Sequence, residues 1–329
     1  MTHMNMVEAL NAAIAHAMSA DERVLVMGED VARTGGVFRV TAGLLDKFGD
    51  ARVIDTPLAE SGIVGTAIGM SIYGLRPIVE IQFDAFVYPG FDQIVVHAAR
   101  YAWRTGGKLP AQIVIRIPHG GGVRAPELHS DSPEALFCHV PGLKVVCPTT
   151  PKDAHDMLLA AIDHPDPVIF MEPKRIYRAG RQEVPDEPYA VEQSILSTAR
   201  VARDGSDLVI FTYGATVPLS VEAAEKIESE RGVSVRVVDL RSLYPLDVEA
   251  ITSHASDAGR ALVVHEAPRT AGLGAEVAQL VHERCMLDLE APVYRVTGFD
   301  VPFPQLANED DYLPSVGRIA AGARKVLDF

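Results

Sequence analysis

Short apolar runs at residues 24–27, 77–81, 113–117, 144–147 and 168–171 recur along this chain, each bounded by Gly, Pro or charge, with helix-length segments between most of them. Runs of that length and punctuation are the pattern of strands buried on both faces, and strands spaced by helices pair in parallel through crossovers. The expected fold is therefore α/β, with parallel sheets covered by helices. Two helix starts are readable in detail. Asn5 is placed to cap a helix carrying Met6, Leu10, Ile14 and Ala17 on one face, with Glu8 as its capping-box partner. Thr150 caps a helix expected over 150–163, with Pro151 at the first helical position and Asp153 in the first turn. A further helix is expected over 91–104, following Pro89 and Gly90.

From Lys174 to about Ser206 the apolar period fades, and turn and charge residues gather, among them Pro185, Asp186, Glu187 and Pro188. Beyond that stretch, strand patterns at 208–211, 233–240, 261–265 and 293–296 alternate with helices at about 217–231, 247–256 and 274–284. The expected division is a domain over 1–180, a linker over 181–205 and a smaller β/α domain over 206–329. A length of 329 residues with 48% hydrophobic content allows two good cores.

The formal net charge of -14 makes nucleic acid and an anionic membrane improbable partners, and would attract a basic protein. No basic leader precedes an apolar core and no apolar run reaches spanning length, so the expected compartment is the cytoplasm. Cys138, Cys147 and Cys285 have no Cys-x-x-Cys spacing, which argues against a disulfide framework or a zinc site. Each reads as a small buried hydrophobe.

Glu60 stands at the start of Glu-Ser-Gly-Ile-Val-Gly-Thr-Ala-Ile-Gly-Met, a run otherwise built for a tightly packed helix. A carboxylate there gains about 0.3–1 kcal/mol from the helix dipole. Position alone therefore leaves a structural and a chemical role both open. Gly120, Gly121 and Gly122 follow a strand, but no Gly-Lys-Ser/Thr ending follows them, which removes a P-loop. Gly272-Leu273-Gly274 opens a helix, yet Val277 replaces the third glycine of a dinucleotide fingerprint, so a tight turn and close packing are the better reading. The stretch from His119 to Glu134 is a long loop, of a kind uncommon without a function. Within it His129 is the candidate proton carrier, and Ser132 is expected to cap the following helix.

Taken together, Asp55-Thr-Pro-Leu-Ala-Glu60-Ser-Gly-Ile-Val-Gly65, Glu80-Ile-Gln-Phe83, Phe91-Asp-Gln-Ile94 and His129-Ser-Asp-Ser-Pro-Glu-Ala135 are recognisable. With Glu172-Pro-Lys-Arg-Ile-Tyr-Arg178, His265-Glu-Ala267 and Gly298-Phe-Asp-Val-Pro-Phe-Pro304, they make the chain resemble the β subunit of the thiamine-diphosphate-dependent decarboxylase component of 2-oxo acid dehydrogenase complexes. The resemblance covers nearly the whole length. Gln82-Phe83, Ser-Pro-Glu-Ala and Glu-Pro-Lys look closest to the branched-chain type, with the pyruvate and acetoin types as alternatives.

The resemblance implies a thiamine-diphosphate-binding fold, made of a pyrimidine-binding domain and a transketolase C-terminal-type domain. It implies that Glu60 hydrogen-bonds the cofactor's aminopyrimidine, that Phe86 stacks on that ring, that Leu58 and Gln82 line the same pocket, and that His129 guides protons during decarboxylation and reductive acylation. The family anchors the diphosphate through Mg2+ on a Gly-Asp-Gly motif with a later Asn pair. This chain has no Gly-Asp-Gly, and Asn5, Asn11 and Asn308 stand apart. The implied arrangement is an α2β2 heterotetramer whose α subunit carries that half of the site, with this chain inactive alone. Further implied partners are a lipoylated acyltransferase core, docked through the acidic second domain, and a 2-oxo acid substrate. A structural K+ held by carbonyls near Ile113, Ala161, Ile162 and Asp166 belongs to the same set of implications. Other readings are a non-catalytic docking subunit and a dinucleotide oxidoreductase built on Gly272 and Gly274.

Overall fold

A computed structural model describes residues 1–187 and 189–329. Asn5 makes the full capping box with Glu8 at the head of the Met6–Ala20 helix, and Thr150 accepts from the Asp153 amide at the head of Pro151–Asp163. These two helices pack against one another and cover one face of a seven-stranded sheet. Its strands run in the order Ser242–Tyr244, Lys144–Val146, Val168–Pro173, Val114–His119, Arg76–Glu80, Val24–Gly28 and Val53–Asp55. All neighbours are parallel except Ser242–Tyr244, which pairs antiparallel with Lys144–Val146.

The second sheet has five strands, ordered Tyr294–Val296, Ala261–Val264, Leu208–Thr212, Val235–Asp239 and an antiparallel Arg200–Arg203. Helices Thr216–Arg231 and Val316–Leu327 cover one of its faces. On the other, Val248–Ala258 and Leu273–Cys285 contribute Ile251, Ala255, Val277 and Val281 to an apolar core continuous with that of the first sheet. One core thus spans both sheets, and Ser242–Tyr244 carries the chain of the second unit into the sheet of the first. Within 181–205, Gln182–Val184 pairs with Thr2–Met4 and Arg200–Arg203 completes the second sheet.

Several local expectations need correction. Over 91–104 the backbone makes a π-helix at Gln93–Ala98 before becoming an α-helix at Ala99–Arg104, preceded by a 3-10 turn at Asp84–Gly90. Ser132 does not cap the next helix: Glu134–Cys138 starts from Pro133, with no side-chain cap. Cys147 and Cys285 are buried, whereas Cys138 is only half-buried. Gly272 and Gly274 do serve packing. A side chain at Gly272 would meet the buried His265 ring at 2.8 Å, so the helix start lies directly on that histidine.

An arginine in the middle of a strand buried on both faces is also unusual, and pairing accounts for it. Arg116 donates to Glu80 at 2.6 Å and to both oxygens of Glu172 at 2.7 and 2.8 Å. Strand register brings Glu80 opposite Arg116, and Tyr177 completes the cluster by donating to Glu172 at 2.5 Å. Burial raises Glu80 against the pull of Arg116, so the network holds only while each charge keeps its partner.

Candidate active site

The strand order reverses between Val24–Gly28 and Arg76–Glu80, since the chain goes from the first of these out to Val53–Asp55 and then back to the other side. In an open parallel sheet, the crevice beyond the carboxyl ends of such a pair is where ligands bind. Glu29 and Asp30 leave one strand there, and Gln82 and Phe83 leave the region of the other. The two loops are tied by Gln82 Nε2 donating to Asp30 at 3.3 Å.

Glu60 opens the Glu60–Ile72 helix, which has no side-chain cap at Ala59, and it is 8% exposed. Among the described residues its carboxylate has no hydrogen-bond partner. Gly90 allows the 3-10 turn to press on this helix start, for a Cβ there would lie 3.3 Å from the Glu60 carbonyl oxygen. Close by is a residue that sequence reasoning missed. Glu29 is 7% exposed, its Oε1 is buried without a partner, and its carboxyl is held above the ordinary range by burial first and then by the charges of Glu60 and Asp30. The available signal was an acidic pair immediately after the fully buried strand Val24–Gly28.

Aromatic rings cover the crevice. His129 packs on Phe83 at 4.2 Å and edge-to-face on Phe86 at 5.0 Å, and Phe83 meets Phe86 at 5.7 Å. The Nδ1 of His129 lies 2.8 Å from the Glu127 carbonyl oxygen, which assigns the proton of the neutral ring to Nδ1 and leaves Nε2 as the acceptor. The preceding residue, Leu128, has φ 66, and Asp30, next to Glu29, has φ 58. A left-handed non-glycine backbone costs roughly 1–3 kcal/mol and persists where the surroundings over-determine it. Of the five residues expected in the site, Glu60, Gln82, Phe86 and His129 lie around this crevice. Leu58 is two residues from Glu60 and 81% exposed, an apolar side chain that the described residues leave uncovered.

A buried ion pair holds the histidine loop. The Lys174 ammonium, at the end of the Val168–Pro173 strand, is paired with Asp84 and donates to the His129 carbonyl at 2.6 Å. Asp84 Oδ1 in turn accepts the Asp131 amide at 2.9 Å, so the pair grips both sides of Ser130. Burial lowers Lys174 and pushes Asp84 up to about 6 in spite of the attraction between them. Neither residue stands out in the sequence as a site residue, because 90 positions separate them.

The second unit grips the other end of this loop. Glu266 accepts the Gly121 amide and Glu309 the Gly122 amide, while Tyr213 donates to Glu134 at 2.7 Å. The glycine turn is thus an inter-domain clasp. Burial pushes Glu266 up to about 7, with the Gly121 amide and the charges of Arg175 and Lys174 opposing. A folded carboxyl that holds its proton above the ordinary 4.5 stabilises most below that pH, and the contribution is lost as pH rises through about 7. Glu266→Gln, which cannot ionise, is expected to flatten the fall in melting temperature between about pH 5 and about pH 8. A slope equal to that of the parent would refute this account of the clasp.

Three of the four carbonyls implied for K+ already accept a hydrogen bond within the chain: Ile113 from Val168, Ala161 from His164 and Ile162 from Gln112. Among the described residues no group of three or more His, Cys, Asp or Glu side chains is arranged to hold a metal ion, and no helix is long and apolar enough to cross a membrane.

Known proteins share this architecture. Residues 2–180 match the transketolase pyrimidine-binding domain and residues 197–319 the transketolase C-terminal domain. The pyruvate dehydrogenase E1 component subunit beta of Acholeplasma laidlawii is 48% identical over 326 residues, which are 99% of this chain and 98% of that one. The Bacillus subtilis (strain 168) protein of the same name is 48% identical over 329 residues, 100% of each chain. A solved structure described as a split gene transketolase, inactive beta4 tetramer, matches with a TM-score of 0.79 over 99% of both chains at 24% identity, a likeness of fold.

Proposed function

We infer the activity from one premise: this chain belongs to the family of E1 β subunits of thiamine-diphosphate-dependent 2-oxo acid dehydrogenases. It acts with an α subunit in the oxidative decarboxylation of a 2-oxo acid, with transfer of the acyl group to a lipoyl group. The observation that carries this reading is Glu60, largely buried and without a hydrogen-bond partner among the described residues, at the head of a helix packed on the 3-10 turn that brings Phe86 to Phe83 and His129. That combination suits a flat, nitrogen-bearing heterocycle, with ring faces for its plane and a carboxylate for a ring nitrogen. The orphaned Oε1 of Glu29 supports the same fit, since a buried acceptor without a partner is costly until a ligand or partner group supplies one.

When bound, thiamine diphosphate supplies the carbon nucleophile. Each residue of this chain has a smaller task. Glu60 would hold or share a proton at the aminopyrimidine nitrogen, Phe86 would cover the ring, and Gln82 and Leu58 would line the same pocket. His129, fixed by its Nδ1 bond, offers Nε2 to move a proton near the substrate. We assign the diphosphate and its Mg2+ to the α subunit of an α2β2 assembly, because this chain lacks Gly-Asp-Gly and an Asn pair. The lipoylated acyltransferase core is the further partner, and the cytoplasm the compartment.

For the substrate, pyruvate is the favoured reading, since relatives 46–48% identical over nearly the full length carry pyruvate dehydrogenase in their names. A branched-chain 2-oxo acid is the second, on the strength of the Gln82-Phe83 pair and the Ser-Pro-Glu-Ala and Glu-Pro-Lys blocks. The test is decarboxylation of pyruvate and 3-methyl-2-oxobutanoate, with thiamine diphosphate and Mg2+, by this chain alone and co-expressed with its α subunit. The expected result is activity only in the pair, with kcat/KM about tenfold or more in favour of pyruvate. A preference for the branched substrate would move the substrate and keep the chemistry. Turnover by this chain alone would overturn the shared site, and silence from a cofactor-loaded assembly would favour a docking role.

A further inference from the structure

A pocket of about 320 Å³ lies on the second domain between the edge strand Tyr294–Val296 and the helix Val316–Leu327, away from the crevice of the first sheet. In a chain with 44 acidic and 30 basic residues, its wall gathers Arg269, Arg295, Arg318 and Lys325. Among the described residues none of these cations forms an ion pair with a carboxylate. The acid that lines the pocket, Asp300, already accepts from the Thr270 amide at 2.8 Å and the Thr270 hydroxyl at 2.7 Å.

The guanidinium groups are held in place without being neutralised. Arg269 donates to the Arg295 carbonyl and Arg295 to the Arg269 carbonyl, both at 2.9 Å, which fixes two like charges side by side. Arg318 donates to the carbonyls of Tyr312 and Thr297 at 2.7 and 2.6 Å and lies over Phe299 at 4.5 Å. Lys325 rests on the Tyr294 ring at 4.9 Å. Arg269 and Arg295 each commit one of five N–H donors in these bonds and keep the rest. Burial first, and then the neighbouring Arg269, hold Arg295 below its ordinary value, with the charge of Asp300 opposing.

We propose that this pocket is a binding site for a small phosphorylated anion, its phosphate held by Arg269, Arg295 and Lys325. Planar forks fixed by backbone carbonyls suit the several acceptor oxygens of a phosphate, and the volume suits a small molecule. The site stands apart from the decarboxylation reading and does not depend on it.

The test uses the assembled α/β protein saturated with thiamine diphosphate and Mg2+, so that the diphosphate site is filled. Inorganic phosphate and then glycerol 3-phosphate are titrated calorimetrically at constant ionic strength, against a chloride control. Saturable binding is expected, at least tenfold weaker in Arg295→Gln and also weakened in the exposed Lys325→Gln, whose melting temperature should match that of the parent. Tighter binding of glycerol 3-phosphate points to an organic phosphate, equal binding to the free ion, and both support the site. Heat no greater than with chloride, or binding unchanged in an Arg269→Gln/Arg295→Gln double variant, overturns the proposal. So does binding to this chain alone that vanishes on assembly, which would give the cations to a carboxylate of a neighbouring subunit.

Discussion

Glu60→Gln should leave the protein folded and assembled while turnover falls by about 10²–10⁴-fold, the range for loss of a positioned proton-transfer group. The substitution keeps the volume at the start of the Glu60–Ile72 helix and costs that helix only about 0.3–1 kcal/mol of dipole interaction. Any loss beyond that scale belongs to chemistry or cofactor binding. Glu29 gives a second readout, because its carboxyl is raised partly by the Glu60 charge and should fall back toward the ordinary range when that charge is gone. Turnover and cofactor affinity of the assembled variant, measured together, separate the outcomes. Near-parental turnover would remove Glu60 from the mechanism even though the family assignment stood.

The second large effect is expected from the ion pair beneath the histidine loop. Lys174→Met leaves Asp84 buried without its cation, a change that typically costs about 3–5 kcal/mol, and it removes the donor to the His129 carbonyl. Melting temperature should drop by several degrees or more, and kcat should fall further than the population of unfolded protein explains. Asp84→Asn is the gentler variant, since an amide oxygen can still accept the Ala85 and Asp131 amides at that position. If the pair acts by holding the loop, the double variant should be less damaged than the sum of the singles, with a coupling of about 0.5–3 kcal/mol. Proteolysis of the 119–134 loop should quicken in step with the loss of kcat. A Lys174→Met protein that loses stability but keeps kcat would make the pair a structural element only.

Strands and helices of the first domain were legible because each signal is local. Asn5 with Glu8, and Thr150 with Pro151 and Asp153, carry their own hydrogen-bonding logic within three or four residues. The corrected elements are those where tertiary contact competes with local preference. Ser132 has a good capping side chain, but the chain reaches the helix through Pro133. The segment expected as one helix over 91–104 starts with a π-turn, where the 3-10 turn ending at Gly90 must press on the start of the Glu60 helix. The strand Ser242–Tyr244 had no signal of its own, being short and joined to a sheet built from residues roughly a hundred positions earlier.

By itself, then, the sequence determined the α/β class, the alternation that makes parallel sheets and the acidic charge, while its resemblance to the family put forward Glu60, Gln82, Phe86 and His129 as site residues. The first three follow from periodicity and composition, which need no knowledge of what lies across the fold. Only the tertiary structure decided that Glu29 approaches Glu60, that Lys174 and Asp84 hold the His129 loop, and that Glu266 and Glu309 clasp the glycine turn from another domain. It also decided that Arg269, Arg295, Arg318 and Lys325 share one pocket, with no ion pair to a carboxylate among the described residues. The physical reason is the same in each case. A charge takes its energy from the burial and partners around it, and those neighbours come from strand ends and loops that chain separation hides until the sheet brings them together.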